Sequence, residues 1–507
     1  RGSIDPRGGE GRVALVAERF TLDRIADVLP PEILSPGNTA VDGALDVSWA
    51  EDAIRFAGDL RIAGLSLLHK ALAAEPLQNL ELRMDVRGTA FPSRRRVALE
   101  RLEGRIGDLV GRMSGAVELQ TGSFTFANGR RLGFLPKLDL SLEIPRVPCA
   151  KALASFPPAL VPKLQGFVMQ GFFEANLGVK IDYANLDDLA LTGKVGIDGC
   201  KVLKPAPSIL PVLTGQSIVQ TVEVPPPPGK TGTPKVLPGG STIEVEDMQF
   251  VVGPENPEFA PYAEISPGLI NSILTTEDNG FFKHRGWVSS EFRTALRKNL
   301  AHGRFHGGAS SITMQTVKNL LLTQEKTLSR KLQELFLVWY LEQNVPKERI
   351  LELYFNAIEF GPRIYGIGAA ARHYFGKKPA DLTPLEGAFF SSILPSPKRR
   401  YIQYCHGTLY PPWDRYVRRI LAKVHERGRL SDDEYTTLAN MPFAFDRKEA
   451  TFTEKQCLDW VKKIVPPKTE PDAPGEVESP GDEEGESPGH EISEGGHGKR
   501  LHRRRAH

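Results

Sequence analysis

The first two hundred residues alternate. Ala44-Leu-Asp-Val-Ser-Trp49, Ile54-Arg-Phe-Ala-Gly-Asp-Leu-Arg-Ile62 and Leu80-Glu-Leu-Arg-Met-Asp-Val86 place apolar residues at nearly every second position. That is the period of a half-buried strand. Val117-Glu-Leu119, Leu138-Asp-Leu-Ser-Leu-Glu-Ile144 and Gly178-Val-Lys-Ile-Asp-Tyr183 continue it, with glycines between them where turns and bulges fall. From Ser266 to Ala439 the period becomes helical. Leu269, Ile270, Ile273 and Leu274 form a stripe that ends on Glu277, and Phe292, Leu296 and Leu300 share the next face. Residues 328–341 predict a strong helix. Pro346 opens another over 348–356, where its missing N–H costs nothing. Residues 414–427 are basic and amphipathic, and Ser431-Asp-Asp-Glu has the form of a capping box. The pattern predicts a multidomain chain: a β-rich module followed by a mainly α-helical domain.

The β-rich part, residues 1–205, contains an internal repeat. Leu29-Pro-Pro-Glu-Ile-Leu matches Phe156-Pro-Pro-Ala-Leu-Val, and Ala57-Gly-Asp-Leu-Arg-Ile-Ala-Gly64 matches Thr192-Gly-Lys-Val-Gly-Ile-Asp-Gly199. Two copies, about 20–75 and 148–205, predict a duplicated or elongated sheet. The texture resembles AsmA-like envelope proteins, whose β-rich repeats form long grooved sheets. The same residues suit a plain β-platform with no ligand. Residues 206–260 read as a Pro/Gly-rich linker with a short β-element. The run Pro225-Pro-Pro-Pro-Gly-Lys-Thr-Gly-Thr-Pro234 is expected to be extended and exposed. Its Gly-Lys-Thr lacks the spacing and the strand–helix setting of a phosphate loop. The helical domain spans 261–440, with a C-terminal extension over 441–464. Residues 465–507, acidic and then basic, are too poor in apolar side chains to offset chain entropy and are expected to be disordered.

Composition adds bounds. A chain of 507 residues is long for one core, so two or three domains are expected. A formal net charge of +2 gives no global reason to expect nucleic acid. The four cysteines, Cys149, Cys200, Cys405 and Cys457, lack metal-ligand spacing. A Cys149–Cys200 bridge and buried free thiols both stand open. No apolar run of about 18 residues is present, so no transmembrane helix is expected in this stretch, and no signal peptide is visible. An export segment or anchor upstream of Arg1 is the simplest expectation.

The chemistry concentrates in the helical part. Glu277-Asp-Asn-Gly-Phe-Phe-Lys-His-Arg-Gly286 packs two carboxylates, two aromatics, a histidine and two glycines into ten residues. An inverting transfer between sugars needs one carboxylate as base, a second some way off, and a group that stabilises the leaving group. Glu277 ends a helix before a glycine-containing turn that can aim it into a cleft. Glu334 follows Arg330 by four residues and Lys331 by three, which places all three on one helix face. Two cations beside a carboxylate keep it ionised and suit a phosphate or pyrophosphate leaving group. Taken alone, Arg330 and Glu334 also fit a surface ion pair. Between the carboxylates, Gly307-Gly-Ala-Ser-Ser-Ile-Thr-Met-Gln315 and Lys318 supply small residues for close approach and polar groups for sugar and phosphate.

In order and spacing these segments resemble family 51 glycosyltransferases, the peptidoglycan glycosyltransferase domain of class A penicillin-binding proteins and monofunctional transglycosylases. Glu277, Asp278, Phe281, His284 and Gly286 fill the first motif. Gly308-Ala-Ser-Ser-Ile-Thr-Met-Gln315 departs from the second at Ser311 and Met314. Arg330, Lys331 and Glu334 are the third, Ile350-Leu-Glu-Leu-Tyr-Phe-Asn356 the fourth, and Tyr365-Gly-Ile-Gly to Lys377 the last. The resemblance runs from about Pro261 to Leu438, and no penicillin-binding transpeptidase domain is expected in the residues given after it.

What the resemblance implies is a lysozyme-like helical fold that polymerises lipid II into β-1,4-linked glycan with release of undecaprenyl pyrophosphate. Glu277 would be the general base and Glu334 an assisting carboxylate. Lys318, Arg330, Lys331, Arg372 and Lys377 would hold pyrophosphate, with Ser310, Thr313 and Gln315 as further substrate contacts. Asp278, Phe281, His284, Gly286, Glu352 and Asn356 would serve structure. Trp287, Val288 and Phe292 fall where the family's membrane-dipping lobe begins, or else in ordinary core. No cofactor is required. A divalent cation, Mg or Mn, stimulates some members, and Asp278 is the nearest extra carboxylate. The implied setting is the cell envelope, at the periplasmic face of a bacterial inner membrane. The implied partners are lipid II and its growing lipid-linked glycan, the membrane surface, envelope lipids and cell-wall synthesis proteins. Two other readings use the same residues: a lysozyme-like hydrolase or lytic transglycosylase working through Glu277, and a non-catalytic lipid-binding envelope scaffold.

Overall fold

The alternating stretches form one antiparallel sheet. The computed structural model describes residues 2–5, 9–127, 129–237, 240–303, 310–323, 325, 327–448 and 452–465. The tail beyond Val465 and residues 308 and 309 of the second motif lie outside the described residues. Strands β1 (Gly2–Asp5), β2 (Glu10–Thr21), β4 (Ala40–Ala50), β5 (Ala53–Leu67), β6 (Leu77–Phe91), β7 (Arg96–Ile106), β8 (Leu109–Thr125), β9 (Arg131–Pro148), β10 (Val168–Asp182) and β11 (Ala190–Lys204) pair as successive neighbours. The short β3 (Ile33–Leu34) adds to β5. The repeated segments fall on β5 and β11. A 15-residue strand is roughly 50 Å long, so the module is an extended sheet.

Its period of two separates the faces completely. The register aligns Leu15, Leu45, Gly58, Val86, Leu102, Met113, Leu142 and Leu177 in one unbroken row across eight strands. A parallel row on the same face carries Val13, Val47, Phe56, Leu99, Leu140 and Val179. The other face carries cross-strand ion pairs, among them Arg12–Asp46, Arg101–Asp85, Arg112–Glu103 and Lys180–Asp139. Bulges keep this alternation in step. Between Arg87 and Gly88 the partner strand moves on by an extra residue, so that Leu99 and Leu102 stay on one face.

The apolar face is not covered by a second layer along most of its length. Leu15 is 58% exposed and Val195 50%. Side chains lie down on neighbouring glycines instead: a Cβ on Gly88 would meet the Phe56 ring at 2.5 Å, and one on Gly11 the Trp49 ring at 2.2 Å. Near one end the face closes into a core around Leu65, Leu77, Leu80 and Leu160.

Helix α1 (Cys149–Ala154) interrupts the sheet between β9 and β10, and α2 (Leu210–Thr214) follows it. Strands β12 (Ile218–Val224), β13 (Thr233–Val236) and β14 (Thr242–Val252) make a small sheet with β13 on its edge, where Pro234 lacks no ladder bond that a neighbour needs. The proline run is not exposed at its start. Pro225 and Pro226 are buried, their carbonyls accepting from Arg363 and from Trp460 Nε1 (3.0 Å each).

The helical domain follows the sequence pattern closely. It contains α3 (Pro267–Glu277), α4 (Ser289–His302), α5 (Ile312–Leu320), α6 (Leu328–Asn344) and α7 (Lys347–Ala357). A two-stranded ribbon, β15 (Glu359–Gly361) and β16 (Ile364–Tyr365), leads to α8 (Ile367–Phe375) and α9 (Pro384–Ile393). The chain ends in α10 (Pro397–Arg400), α11 (Ile402–His406), α12 (Pro411–Glu426), α13 (Asp432–Ala439) and α14 (Glu454–Ile464). Pro346 caps α7, and Ser431 with Glu434 closes the expected capping box. The central helix α3 packs on α9 at a close crossing. There a Cβ on Gly268 would fall 2.7 Å from Pro384, and one on Gly387 2.8 Å from the Leu269 backbone.

The thiols are not free. Cys149 joins Cys200 and Cys405 joins Cys457. The first ties α1 to the last strand of the sheet, and the second ties α14 to α11. Each closes a loop of about fifty residues (separations 51 and 52). Loop closure of that length restricts the unfolded chain by up to ~4 kcal/mol. Reduction is therefore expected to lower the thermal midpoint. The variant Cys405→Ser with Cys457→Ser should reproduce most of that drop for the helical domain without reductant; an unchanged melting curve on reduction of the wild type would contradict this.

Candidate active site

Glu277 is the last residue of α3. At Asp278 the backbone leaves the helix (φ −162°, ψ 78°), and the turn that follows is held by polar contacts. Asp278 is buried. One of its oxygens meets His284 Nε2 at 2.8 Å, and the other accepts the Ile312 N–H at 3.0 Å. His284 Nδ1 accepts the Gly286 N–H (3.0 Å), so its proton sits on Nε2, toward Asp278. Both Asp278 oxygens are thus engaged, which does not fit a role as a cation ligand. Among the described residues, no group of three His, Cys, Asp or Glu side chains could hold a metal.

The second motif docks on the first. Ser311 caps α5, accepting the Met314 N–H at 3.2 Å and donating to the Gly286 carbonyl at 2.5 Å. The hydroxyl that Ser311 retains is the part this position uses, and Met314 is simply buried in the core. One turn on, Gln315 Nε2 donates to Glu277 Oε2 at 3.0 Å. Gly286 (φ +92°) lies against α6: a Cβ there would be 2.4 Å from Val338. A left-handed backbone and that approach both require glycine.

Helix α6 brings the third motif. Glu334 is only 3% exposed, and its oxygens meet Arg330 Nη1 at 3.0 Å and Lys331 Nζ at 2.6 Å. Glu334 is thus buried beneath two half-buried cations, which is not the surface pair that the i,i+4 spacing alone allows. Arg330 Nε is buried with no partner among the described residues. Lys318, on α5, stands between the two carboxylates. Burial pushes its pKa below the ordinary 10.5, while Glu334 and Glu277 pull it back up. Burial also raises Glu277 above its ordinary 4.5. The Gln315 hydrogen bond and the charges of Arg400 and Lys318 oppose that rise, and Asp278 adds to it. A carboxylate raised by burial is a stronger base than an exposed one, and the cations around it suit a departing anion.

Several expected contacts fall elsewhere. Thr313 is fully buried and donates to Glu342, which also pairs with Lys347 (2.8 Å); its hydroxyl is unavailable to a substrate. Arg372 pairs with Glu258 at 2.5 Å. Lys377 pairs with Glu386 (2.8 Å), whose carboxylate also completes the cap of α9. Neither Arg372 nor Lys377 is among the charges that shift Glu277 or Lys318. Ser310 is exposed at the edge of the undescribed segment. Glu352 accepts the Tyr262 N–H (2.7 Å), and Asn356 pairs both ways with the Ala260 backbone (2.9 and 2.8 Å), so both fix packing. Phe281 is buried beneath Lys347. Trp287 (44% exposed) and Phe292 (51%) are not core. Arg400 was missed by the sequence reading. It lies 5.1 Å over the Trp413 ring and donates to the Ser392 carbonyl. The only signal was the run Lys398-Arg399-Arg400 after Pro-Ser-Pro.

Residues 237–420 match the family model described as Transglycosylase. The chain is 42% identical over 137 residues to a biosynthetic peptidoglycan transglycosylase of Nitrosomonas eutropha, covering 27% of this chain and 56% of the relative. It is 39% identical over 160 residues to the protein of that description from Nitrosomonas europaea (30% and 66%), and 39% over 141 residues to one from Acinetobacter baumannii (28% and 63%). The chain therefore spans between about half and two thirds of the length of these relatives.

Removing Asp278 tests the frame. Asp278→Ala leaves His284 Nε2 and the Ile312 N–H without their acceptor in a buried setting. It is expected to cost about 2–4 kcal/mol in urea unfolding; a cost below about 0.5 kcal/mol would show that the turn does not depend on it.

Proposed function

We propose that this chain, whose residues 237–420 belong to the transglycosylase family, is a peptidoglycan glycosyltransferase that polymerises lipid II. The observation that carries this reading is the pairing of a desolvated Glu277 with a half-buried cationic set anchored on buried Glu334. Glu277 would take the proton of the acceptor 4-hydroxyl as its oxygen attacks C1 of the donor sugar. The C1–oxygen bond to pyrophosphate breaks with inversion, and Lys318, Arg330 and Lys331 take up the charge that develops. Glu334 holds those cations in place, and Gln315 orients Glu277. Arg400 adds positive charge near the base. A hydrolase needs a base but no cationic set for a pyrophosphate.

The same reading places the protein in the cell envelope, at a membrane surface that supplies its substrate. Exposed Phe282 within the first motif, and Trp287 and Phe292 just after it, suit contact with lipid. No described helix is long and apolar enough to cross a membrane. The apolar face of the sheet suits the aliphatic chains of envelope lipids, because its rows offer no polar group across eight strands.

Three outcomes are expected. Purified protein converts labelled lipid II into long glycan strands, and Glu277→Gln lowers the rate at least about a thousandfold with folding unchanged; cleavage of finished peptidoglycan in place of polymer would favour the hydrolase. The kcat/KM profile is bell-shaped. Glu277 must be deprotonated, and burial raises it, so the acid limb lies above pH 4.5. Lys318 must be charged, and burial lowers it, so the alkaline limb lies below pH 10.5. Limbs at or outside those values would contradict the assignment. Mass spectrometry of the purified protein should find bound lipid, and its consistent absence would leave the sheet a plain platform.

A further inference from the structure

Helix α6 has two working faces. Arg330, Lys331 and Glu334 form the ion-paired trio described above. Ser329, Leu332 and Gln333 lie on the side that meets the β-rich module.

The contacts on that side are directional. A helix leaves its first N–H groups without intrahelical partners. In α6 the Leu328 N–H donates to the Ala71 carbonyl (2.8 Å) and the Ser329 N–H to the Leu72 carbonyl (2.8 Å), both from the loop between β5 and β6. The Gln333 side chain is buried, 4% exposed. Its Oε1 accepts the Lys163 N–H at 2.7 Å, from the segment between α1 and β10. Its Nε2 donates to Ser329 (3.3 Å to the carbonyl, 3.2 Å to Oγ). Leu332 packs on the module's core around Leu65, Leu77 and Leu160.

Apolar packing is non-directional and would tolerate a helix that rotates or slides. Hydrogen bonds to the first turn and to one buried amide do not. One residue of rotation is roughly 100° for an α-helix, which would carry Arg330 and Lys331 out of the cleft. The bonds that prevent it sit within the same two turns as the cations.

We propose that the β-rich module is a positioning element of the transfer site, and that Gln333 is the positioning residue through which it sets the pose of Arg330, Lys331 and Glu334. The inference rests on the reading of the site given above. The module acts through α6 and touches no reacting atom.

The test compares Gln333→Met with Ser329→Ala in the full chain. Met matches Gln in size and helix propensity and removes the bond to Lys163. Ser329→Ala removes only a bond within the helix and leaves Lys163 engaged. Two readouts are taken: hydrogen exchange of residues 328–334, and lipid II polymerisation. For Gln333→Met, exchange in that segment is expected to quicken about tenfold, and kcat/KM to fall about tenfold. The fall should appear in kcat as well as KM, because the displaced cations both hold the pyrophosphate and take up the charge that develops as it leaves. Ser329→Ala should stay within about twofold on both. Unchanged exchange and kcat/KM in Gln333→Met would overturn the proposal, and so would an equal effect of Ser329→Ala. An inert wild-type protein would overturn the reading of the site, while the exchange result would still decide whether the module holds the helix.

Discussion

A carboxylate buried between two cations has to be held by more than its own helix. Glu334 lies on α6 with Arg330 and Lys331 at hydrogen-bond distance, and charges removed from water cost several kcal/mol each unless their geometry is fixed. The fixing comes from three directions. Gly286 lets the first motif close on Val338. Thr327 caps the helix from its own chain. The β-rich module supplies the carbonyls and the N–H that engage its first two turns. The site's electrostatics follow from this arrangement. Lys318 is shifted down by burial yet steadied by both carboxylates, and Glu277 is shifted up by burial yet tempered by Gln315, Arg400 and Lys318.

Much of this was legible in the sequence, for physical reasons that differ by residue. Periodicity located the strands and the long helices, because period two and period 3.6 are imposed by backbone geometry. Glu277 and the Arg330–Lys331–Glu334 group stood out through local spacing and the order of motifs. Other features depend on contacts far apart in sequence. Arg400 reaches the site through the packing of α9 and α12, not through its own neighbours. Thr313 sits in a polar-looking motif but turns toward Glu342. Pro225 and Pro226 read as exposed linker until Trp460, from the other end of the chain, covers them. The cysteine pairings likewise depend on which elements meet. A glutamine on the apolar side of α6 was the one local sign of a second face, because a buried amide needs partners that a stripe of leucines does not supply.

The sheet is more than a spacer in this account. Its charged side carries cross-strand ion pairs of its own, while its apolar side runs into the core that meets Leu332. One surface suited to aliphatic chains and one helix suited to pyrophosphate thus share a boundary. On the proposed function both would belong to a lipid-linked substrate, which would give the two parts a common chemical purpose.

The central claim is that the cations of α6 exist to hold a pyrophosphate. Calorimetric titration of wild-type protein, Arg330→Met and Lys331→Met with a soluble polyprenyl pyrophosphate tests it most directly. The account predicts measurable binding to wild type and a loss of about tenfold or more in each variant. Equal affinity in all three proteins would contradict it.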